Sequence, residues 1–215
     1  MKSFEESVKE LEKTVQALEK GELTLLVDPE GACIPVLKPL AVVDGILAKK
    51  NLGTHKEMAD IVIGLGPGFE AGKDVDAVVE TMRGETLGDI IYQGTTLPNT
   101  GIPGMVGGYA KERVMYSPAD GLMRNVHHIA DTVQKGEVIA YVENDTEKVP
   151  VYATIDGLLR GLIREGYPVW QGLKIADIDP RMEEYNNCFT ISDKARLIGD
   201  SVVKAILHLQ EVKHD

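Results

Sequence analysis

Apolar residues at alternating spacings of four and three (Phe4, Val8, Leu11, Val15 and Leu18) predict an amphipathic helix over residues 3–20. Ser3 with Glu6 supplies a capping box, and Gly21 stands where such a helix stops. The period then changes. Short apolar runs at Leu23–Val27, Ala41–Leu47, Ile61–Leu65, Val75–Val79 and Ile90–Tyr92 predict strands, and Thr54 with Glu57 caps a short helix over 54–60. Residues 94–109 are rich in Gly and Pro and predict a loop that joins two domains or covers a ligand. A last helix is predicted over about 193–211, capped by Thr190 and Asp193. Its apolar face is Ala195, Ile198, Val202, Ala205, Ile206 and Leu209. Strands alternating with helices or loops in the first half give an α/β pattern.

Between the loop and the last helix the chain repeats itself. Residues 114–142 recur without a gap at 150–178, an offset of 36. Tyr116, Asp120, Gly121, Leu122, Arg124, Val133, Gly136, Ile139 and Ala140 return as Tyr152, Asp156, Gly157, Leu158, Arg160, Val169, Gly172, Ile175 and Ala176. A fixed period means one supersecondary unit used twice, and two copies suit a small closed β-structure with pseudo-twofold symmetry.

The 215 residues suffice for one or two domains with a real core. The net charge of −11 opposes sequence-independent binding of nucleic acid or anionic membranes. Cys33 and Cys188 are far apart, with no Cys or His at ligand spacing, and suit free thiols in a reducing compartment. With no apolar signal region or membrane-length apolar run, a cytoplasmic protein is expected.

Candidate chemistry clusters in the first half. Gly64, Gly66, Gly68 and Gly72 with Lys73 form a glycine-rich loop directly after a strand, where backbone N–H groups can turn toward an anion. Neither the P-loop nor the dinucleotide pattern fits, because Pro67, Phe69 and Asp74 fall where those motifs need other residues. A plain chain-reversing turn is the competing account. Asp44 is an acid inside an apolar strand, and Lys49, Lys50 and Asn51 follow at its end, where ligands sit in α/β sheets. Glu80 and Arg83 follow the next strand as either a structural ion pair or part of the same site. Asn99 and Thr100 offer hydrogen bonds to a ligand or cap a turn. His127 and His128, adjacent on a strand, point to opposite faces and cannot easily share a metal, so no bound metal is expected.

Three resemblances add to this. Residues 3–23, SFEESVKELEKTVQALEKGEL, resemble the start of the small subunit of exonuclease VII, but the likeness stops at residue 25. A helix docked on its own sheet accounts better for the stripe. The repeat resembles the lipoyl/biotinyl type of barrel-sandwich hybrid, with Asp-Gly opening each half and a Gly turn before an Ile-Ala strand. Those carriers bear a lysine at the central hairpin tip. Here the corresponding position is near Thr146, and Lys148 lacks the surrounding motif.

The chain as a whole resembles the accessory proteins of selenium-dependent molybdenum hydroxylase systems, the YqeB type. The matching stretches are LVDPEG (26–31), VVDGILAKKNLGT (42–54), IGLGPGFEAGKDVDAVVETMRG (63–84), PNTGIPG (98–104), YSPADG (116–121), IDGLLRGLIREG (155–166), GLKIADIDPR (172–181) and TISDKARLIG (190–199). The resemblance implies support or maturation of a molybdenum-containing hydroxylase. Members of the family usually begin with a strand and a glycine loop of Rossmann type that this sequence lacks, and they tend to have His where Glu85 stands.

Together these readings predict an α/β fold. An incomplete Rossmann-like domain (about 1–111) precedes an all-β barrel-sandwich hybrid with a pseudo-twofold repeat (112–180), and a C-terminal helix (181–215) packs back on the body. The expected function is accessory or maturation factor for the hydroxylase. It binds a small anionic cofactor or precursor, the molybdenum cofactor or a nucleotide, and partners the hydroxylase or its other accessory proteins. Homo-oligomers remain open. A lipoyl- or biotin-type carrier and a non-catalytic scaffold are the alternatives.

Overall fold

The computed structural model describes residues 4–214, with side chains over 12–213. Two compact units divide the chain: residues 1–98 with 197–215, and residues 99–196.

The first unit opens with helix α1 (Phe4–Glu19) and the single turn α2 (Ile34–Leu37). Gly21, in the left-handed region at φ 72°, ends α1 as its spacing predicts, while the Ser3–Glu6 capping box lies outside the described side chains. The strands are β1 (Ala41–Asp44), β2 (Ile61–Leu65), β3 (Ala77–Val79) and β4 (Ile90–Ile91), paired in that order. β1, β2 and β3 run parallel and β4 antiparallel. Ile61, Val62, Ile63, Ala77, Val78 and Val79 are all buried, as continuous apolar strands of a parallel sheet require. On one side Ile61, Ile63, Ala77 and Val79 pack with Ile198, Ala205 and Leu209 of helix α3 (Asp193–His214). On the other, Val62 and Val78 pack with Phe69, Ala71 and Val75. Lys213 near the end of α3 donates to Asp60 O at 2.6 Å and to the buried Asp76 carboxylate at 2.8 Å, fastening the helix to the β2–β3 end of the sheet.

Three local expectations change here. The run Leu23–Val27 forms no strand and is largely exposed. The helix expected over 54–60 is one 3-10 turn at Lys56–Met58, because the Thr54 hydroxyl is taken by Asp44 instead of capping it. The cap of α3 is Ser192, whose Oγ accepts from Ala195 N, while the Thr190 hydroxyl bonds Asn187.

The second unit contains β5 (Val114–Tyr116), β6 (Gly121–Asn125), β7 (Thr132–Val133), β8 (Val138–Glu143), β9 (Lys148–Tyr152), β10 (Gly157–Leu162), β11 (Pro168–Val169) and β12 (Lys174–Asp179). They make two four-stranded antiparallel sheets, β5-β12-β10-β7 and β11-β6-β8-β9. A shift of 36 residues carries one sheet onto the other, so each sheet holds strands from both copies of the repeat. Met115, Met123, Val133, Ile139, Val142, Leu159, Ile175 and Ile178 fill the shared core.

The interlocking explains the recurring residues. Asp120 Oδ1 accepts from Gln171 N at 2.7 Å, and Asp156 Oδ1 accepts from Lys135 N at 2.6 Å, so each copy's Asp closes the other copy's turn. Gly172 N donates to Ser117 O, and Gly136 N donates to Ala153 O, the same exchange again. A Cβ on Gly121 would strike Glu143 O, and one on Gly157 would strike the equivalent Asp179 O. Arg124 pairs with Glu143 and Arg160 with Asp179, again equivalent positions.

The expected fold class is therefore corrected. An incomplete Rossmann-like domain needs helices as its parallel crossovers. Here the β1–β2 link contains only the 3-10 turn and the β2–β3 link is the glycine loop, whose Gly and Pro content cannot sustain a helix. The segment expected as a barrel-sandwich hybrid is two separate sheets, with no strand pairing that closes one onto the other. The described chain is three four-stranded sheets with few helices. No helix among the described residues is long and apolar enough to cross a membrane.

Candidate functional site

The parallel register of the first unit brings three chain segments to one sheet edge. Asp44 pairs with Gly64 and Leu65 with Val79, so β1, β2 and β3 deliver Asp44, Gly66 and Glu80 at their carboxyl ends. Ligands collect at this kind of edge because strand-to-loop turns present backbone groups and side chains together.

Asp44 is buried and fully engaged. Its Oδ1 accepts from Ile46 N at 3.0 Å and its Oδ2 from the Thr54 hydroxyl at 2.6 Å. Asn51 closes the same segment: its Oδ1 accepts from Gly53 N and Thr54 N, and its Nδ2 donates to Thr54 O, each at 2.8 Å. Between these anchors Leu47 (φ 59°) and Lys49 (φ 64°) adopt left-handed backbone, which costs an L-residue roughly 1–2 kcal/mol each. Lys49 and Lys50 project into solvent. Asp44 and Asn51 thus shape the loop, and the lysines supply its free charge.

The glycine loop leans on that segment. Gly68, at φ 118°, lies so close to Lys50 that an added Cβ would come within 2.6 Å of its Cα. Gly66, at φ 76°, sits over Thr81, whose Oγ1 would be 2.5 Å from such a Cβ, and Gly64 lies under the Phe69 ring. Most loop amides are already spent. Gly66 N donates to Val79 O, Glu70 N to Asp74 Oδ2, Ala71 N to Gly94 O, Gly72 N to Val75 O, and Lys73 N and Asp74 N to Glu70 O. Among the described residues this leaves the N–H groups of Gly68 and Phe69 without an intramolecular acceptor. The ammonium of Lys73 is exposed and 3.2 Å from Glu70 Oε2. That hydrogen bond raises its pKa, with the charges of Glu70 and Asp74 adding to it. The amides of Gly72 and Lys73 are thus taken up within the turn, and the exposed Lys73 ammonium is paired with Glu70.

Glu80 is 2% exposed. Its Oε1 accepts from Thr81 N at 2.6 Å and Met82 N at 2.7 Å, and its Oε2 from Leu97 N at 2.8 Å. Arg83 is exposed, and no ion pair joins the two among the described residues. Glu80 is a clamp on backbone. Asn99 and Thr100 fall in the second unit and bond only Gly101 N and Ile102 N, as turn caps. Sequence reasoning missed Thr54, Thr81 and Thr96. The Thr96 Oγ1 is buried with no partner among the described residues, and nothing in the pattern around a lone Thr signals such a role.

Elsewhere, His127 lies between Asp131 (3.3 Å) and Glu137 (3.1 Å), while His128 is largely exposed. No group of three or more His, Cys, Asp or Glu able to hold a metal occurs among the described residues. Lys148 lies in β9 opposite Glu143, its ammonium 4.5 Å from the centre of the Tyr141 ring.

No family model matches the chain. Partial likenesses occur among solved structures. They include the product-bound ectoine utilization protein EutE (DoeB) from Ruegeria pomeroyi (20% identity, 41% of this chain and 27% of that one, TM-score 0.28). An aspartoacylase family protein from Mesorhizobium loti is 12% identical over 43% of this chain and 28% of that one, with a TM-score of 0.31. A succinylglutamate desuccinylase/aspartoacylase from Rhodobacter sphaeroides is 20% identical over 41% and 29%, with a TM-score of 0.30. In sequence, the chain is 46% identical over 198 residues to the uncharacterized protein YqeB of Escherichia coli (strain K12), and it spans 36% of that relative's length. Identity of this order over 92% of the chain makes it a homologue of YqeB, and fits the YqeB family.

Proposed function

We propose that this chain acts as an accessory or maturation factor for selenium-dependent molybdenum hydroxylases, binding a small anionic cofactor or precursor at the carboxyl edge of β1–β3. The observation that carries the binding site is the contact between Gly68 and the backbone of Lys50. It sets the two uncommitted amides, of Gly68 and Phe69, beside a strained loop bearing two exposed lysines. That donor set suits a phosphate or oxyanion, such as the phosphate of a pterin cofactor or nucleotide, because oriented amides and nearby ammonium groups stabilise negative charge together. Asp44 and Glu80 would contribute by fixing the loops, their oxygens being taken up internally. Gly64, Gly66 and Asn51 would do the same through backbone approach and turn closure.

Differential scanning fluorimetry against molybdopterin, nucleotides and selenium oxyanions tests the binding role. One class should raise the melting temperature of the chain, and Lys49→Ala with Lys50→Ala should abolish the rise. Lys73→Ala should leave it intact. Equal shifts in wild type and the double-lysine variant would remove this edge as the site. A null result with every ligand, beside stable capture of the hydroxylase, would favour a scaffold.

A further inference from the structure

The carboxyl end of β3 holds hydrogen-bonding groups that the fold does not use. Thr81, 5% exposed, and Thr96, 6% exposed, stand on either side of the Glu80 carboxylate. Thr81 N donates to its Oε1, and Leu97 N, the amide that follows Thr96, donates to its Oε2. The two hydroxyls are left over. Thr96 Oγ1 is enclosed with no partner, and the Thr81 hydroxyl makes no hydrogen bond among the described residues. An unpaired buried hydroxyl costs free energy and calls for a cause.

Thr81 stands against the glycine loop. A Cβ on Gly66 would come within 2.5 Å of its Oγ1, so the loop backbone lies directly on the hydroxyl. Two residues further on, Gly68 lies equally close to the backbone of Lys50. Two residues of chain span at most about 7 Å, which bounds the separation of these two contacts along the loop. One end of the loop thus has unpaired amides and exposed lysines, and the other has an unpaired hydroxyl. The ends also differ in charge, because Thr81 N is 2.6 Å from the Glu80 carboxylate. An anionic oxygen at Thr81 would face that carboxylate, and like charges repel strongly out of water. An uncharged hydroxyl or amide meets no such opposition, and a threonine hydroxyl can both donate to it and accept from it.

We propose, resting on the anion site described above, that Thr81 is the specificity contact of that site. Its hydroxyl takes an uncharged hydrogen-bonding group of a ligand whose phosphate binds at Gly68, Phe69 and the lysines. The ligand class is then a phosphate monoester with a hydroxyl or amide close to its phosphate, in preference to a free oxyanion.

Isothermal titration calorimetry with inorganic phosphate and ribose 5-phosphate tests the assignment. Ribose 5-phosphate should bind more tightly than phosphate by about 2- to 12-fold, the factor that one net hydrogen bond contributes. Thr81→Val should erase that preference and leave phosphate affinity unchanged. Thr81→Ser, which keeps the hydroxyl, should retain the preference. If the added methyl of Val crowds Gly66 and lowers the melting temperature, Thr81→Ala, which adds no bulk, carries the test. Equal affinities in the wild type, or a preference that survives loss of the hydroxyl, would overturn the assignment and leave the anion site standing. Loss of phosphate binding itself on removing the hydroxyl would also overturn it, since Thr81 would then hold the anion. Binding of neither probe would remove the anion site and this inference with it.

Discussion

Replacing Glu80 by Gln separates a structural clamp from a ligand-binding carboxylate. The carboxylate accepts three backbone N–H groups, two on Oε1 and one on Oε2, at 2.6–2.8 Å and almost wholly out of water. A carboxamide has one accepting oxygen. Whichever way it turns, its NH₂ faces a backbone N–H: that of Leu97, or those of Thr81 and Met82. A hydrogen bond to a charged group contributes about 1.5–3 kcal/mol net, and an orphaned buried donor costs about 1–3 kcal/mol. The loss of one such bond and the donor–donor clash together should destabilise the first unit by about 2.5–6 kcal/mol. At about 2–4 °C per kcal/mol for a chain of this size, the midpoint should fall by roughly 5–24 °C. Glu80→Ala should cost at least as much, because all three donors lose their acceptor. Thermal unfolding by circular dichroism measures the midpoint, and exchange of the β2 and β3 amides assigns the loss to the first unit. A Gln variant within about 0.5 kcal/mol of wild type would refute the clamp, since that is the usual spread of surface substitutions. If the same variant lost anion binding, the carboxylate would belong to the ligand site after all.

Three further outcomes follow from contacts already described. Asp179 is buried, which raises its pKa. Hydrogen bonds from the Arg181 side chain and backbone and from Arg160 outweigh this and hold it down to about 2. A depressed carboxylate stabilises the fold above its unfolded value, near 3.9, and loses that contribution as pH falls toward 2. About 2 kcal/mol should therefore disappear between pH 4 and pH 2 in acid titrations, and Asp179→Asn should flatten that part of the curve. Gly68→Ala should be destabilising by about 1–3 kcal/mol in urea denaturation, because the added methyl meets Lys50 backbone at a φ disfavoured for Ala. Chemical-shift changes in that variant should centre on residues 45–51, and changes confined to 66–70 would deny the contact. Asp120→Ala and Asp156→Ala should each cost about 1–2 kcal/mol by chemical denaturation, and by similar amounts, since each opens an equivalent turn. A large asymmetry would show that the two copies do not share one design.

What could be read beforehand depended on where the cause of each structure lies in the chain. β2 and β3 were legible because a buried parallel strand is apolar at every position, and the buried face of α3 because its period is local. Leu23–Val27 carries an equally good alternation and forms no strand, because a strand needs a neighbour and this stretch has none within the described residues. The candidate site divides in the same way. Asp44 was conspicuous as an acid in an apolar strand, but its partner Thr54 is ten residues away and reads as a helix cap. Lys73 read as a free charge, and its turn hands it to Glu70. Glu80 and Arg83 read as an ion pair or as part of one site, whereas a key donor to the Glu80 carboxylate is a main-chain amide seventeen residues on, which no side-chain pattern encodes.

The repeat bears on where ligand chemistry can lie. Its most conspicuous residues, Asp-Gly with Arg three positions after the Gly, are consumed by reciprocal contacts between the copies. Asp120 and Asp156 close turns, Gly121 and Gly157 let neighbouring carbonyls approach, and Arg124 and Arg160 bind acids across the sheet. A residue recurring in both halves of a symmetric module is explained by whatever both halves need, and here that need is mutual closure. Lys148, exposed at the start of β9, is paired across the β8–β9 hairpin with Glu143 and lies over the Tyr141 ring. Of the four non-glycine residues with left-handed φ among the described residues, Lys38, Leu47 and Lys49 lie in the first unit and only Ala130 in the repeat. In the first unit Leu47 and Lys49 adopt costly conformations, and two loop amides stay uncommitted beside them. Strain maintained by surrounding contacts and donors left without acceptors are features that a bound anion would use, and they converge at the carboxyl ends of β1 and β2.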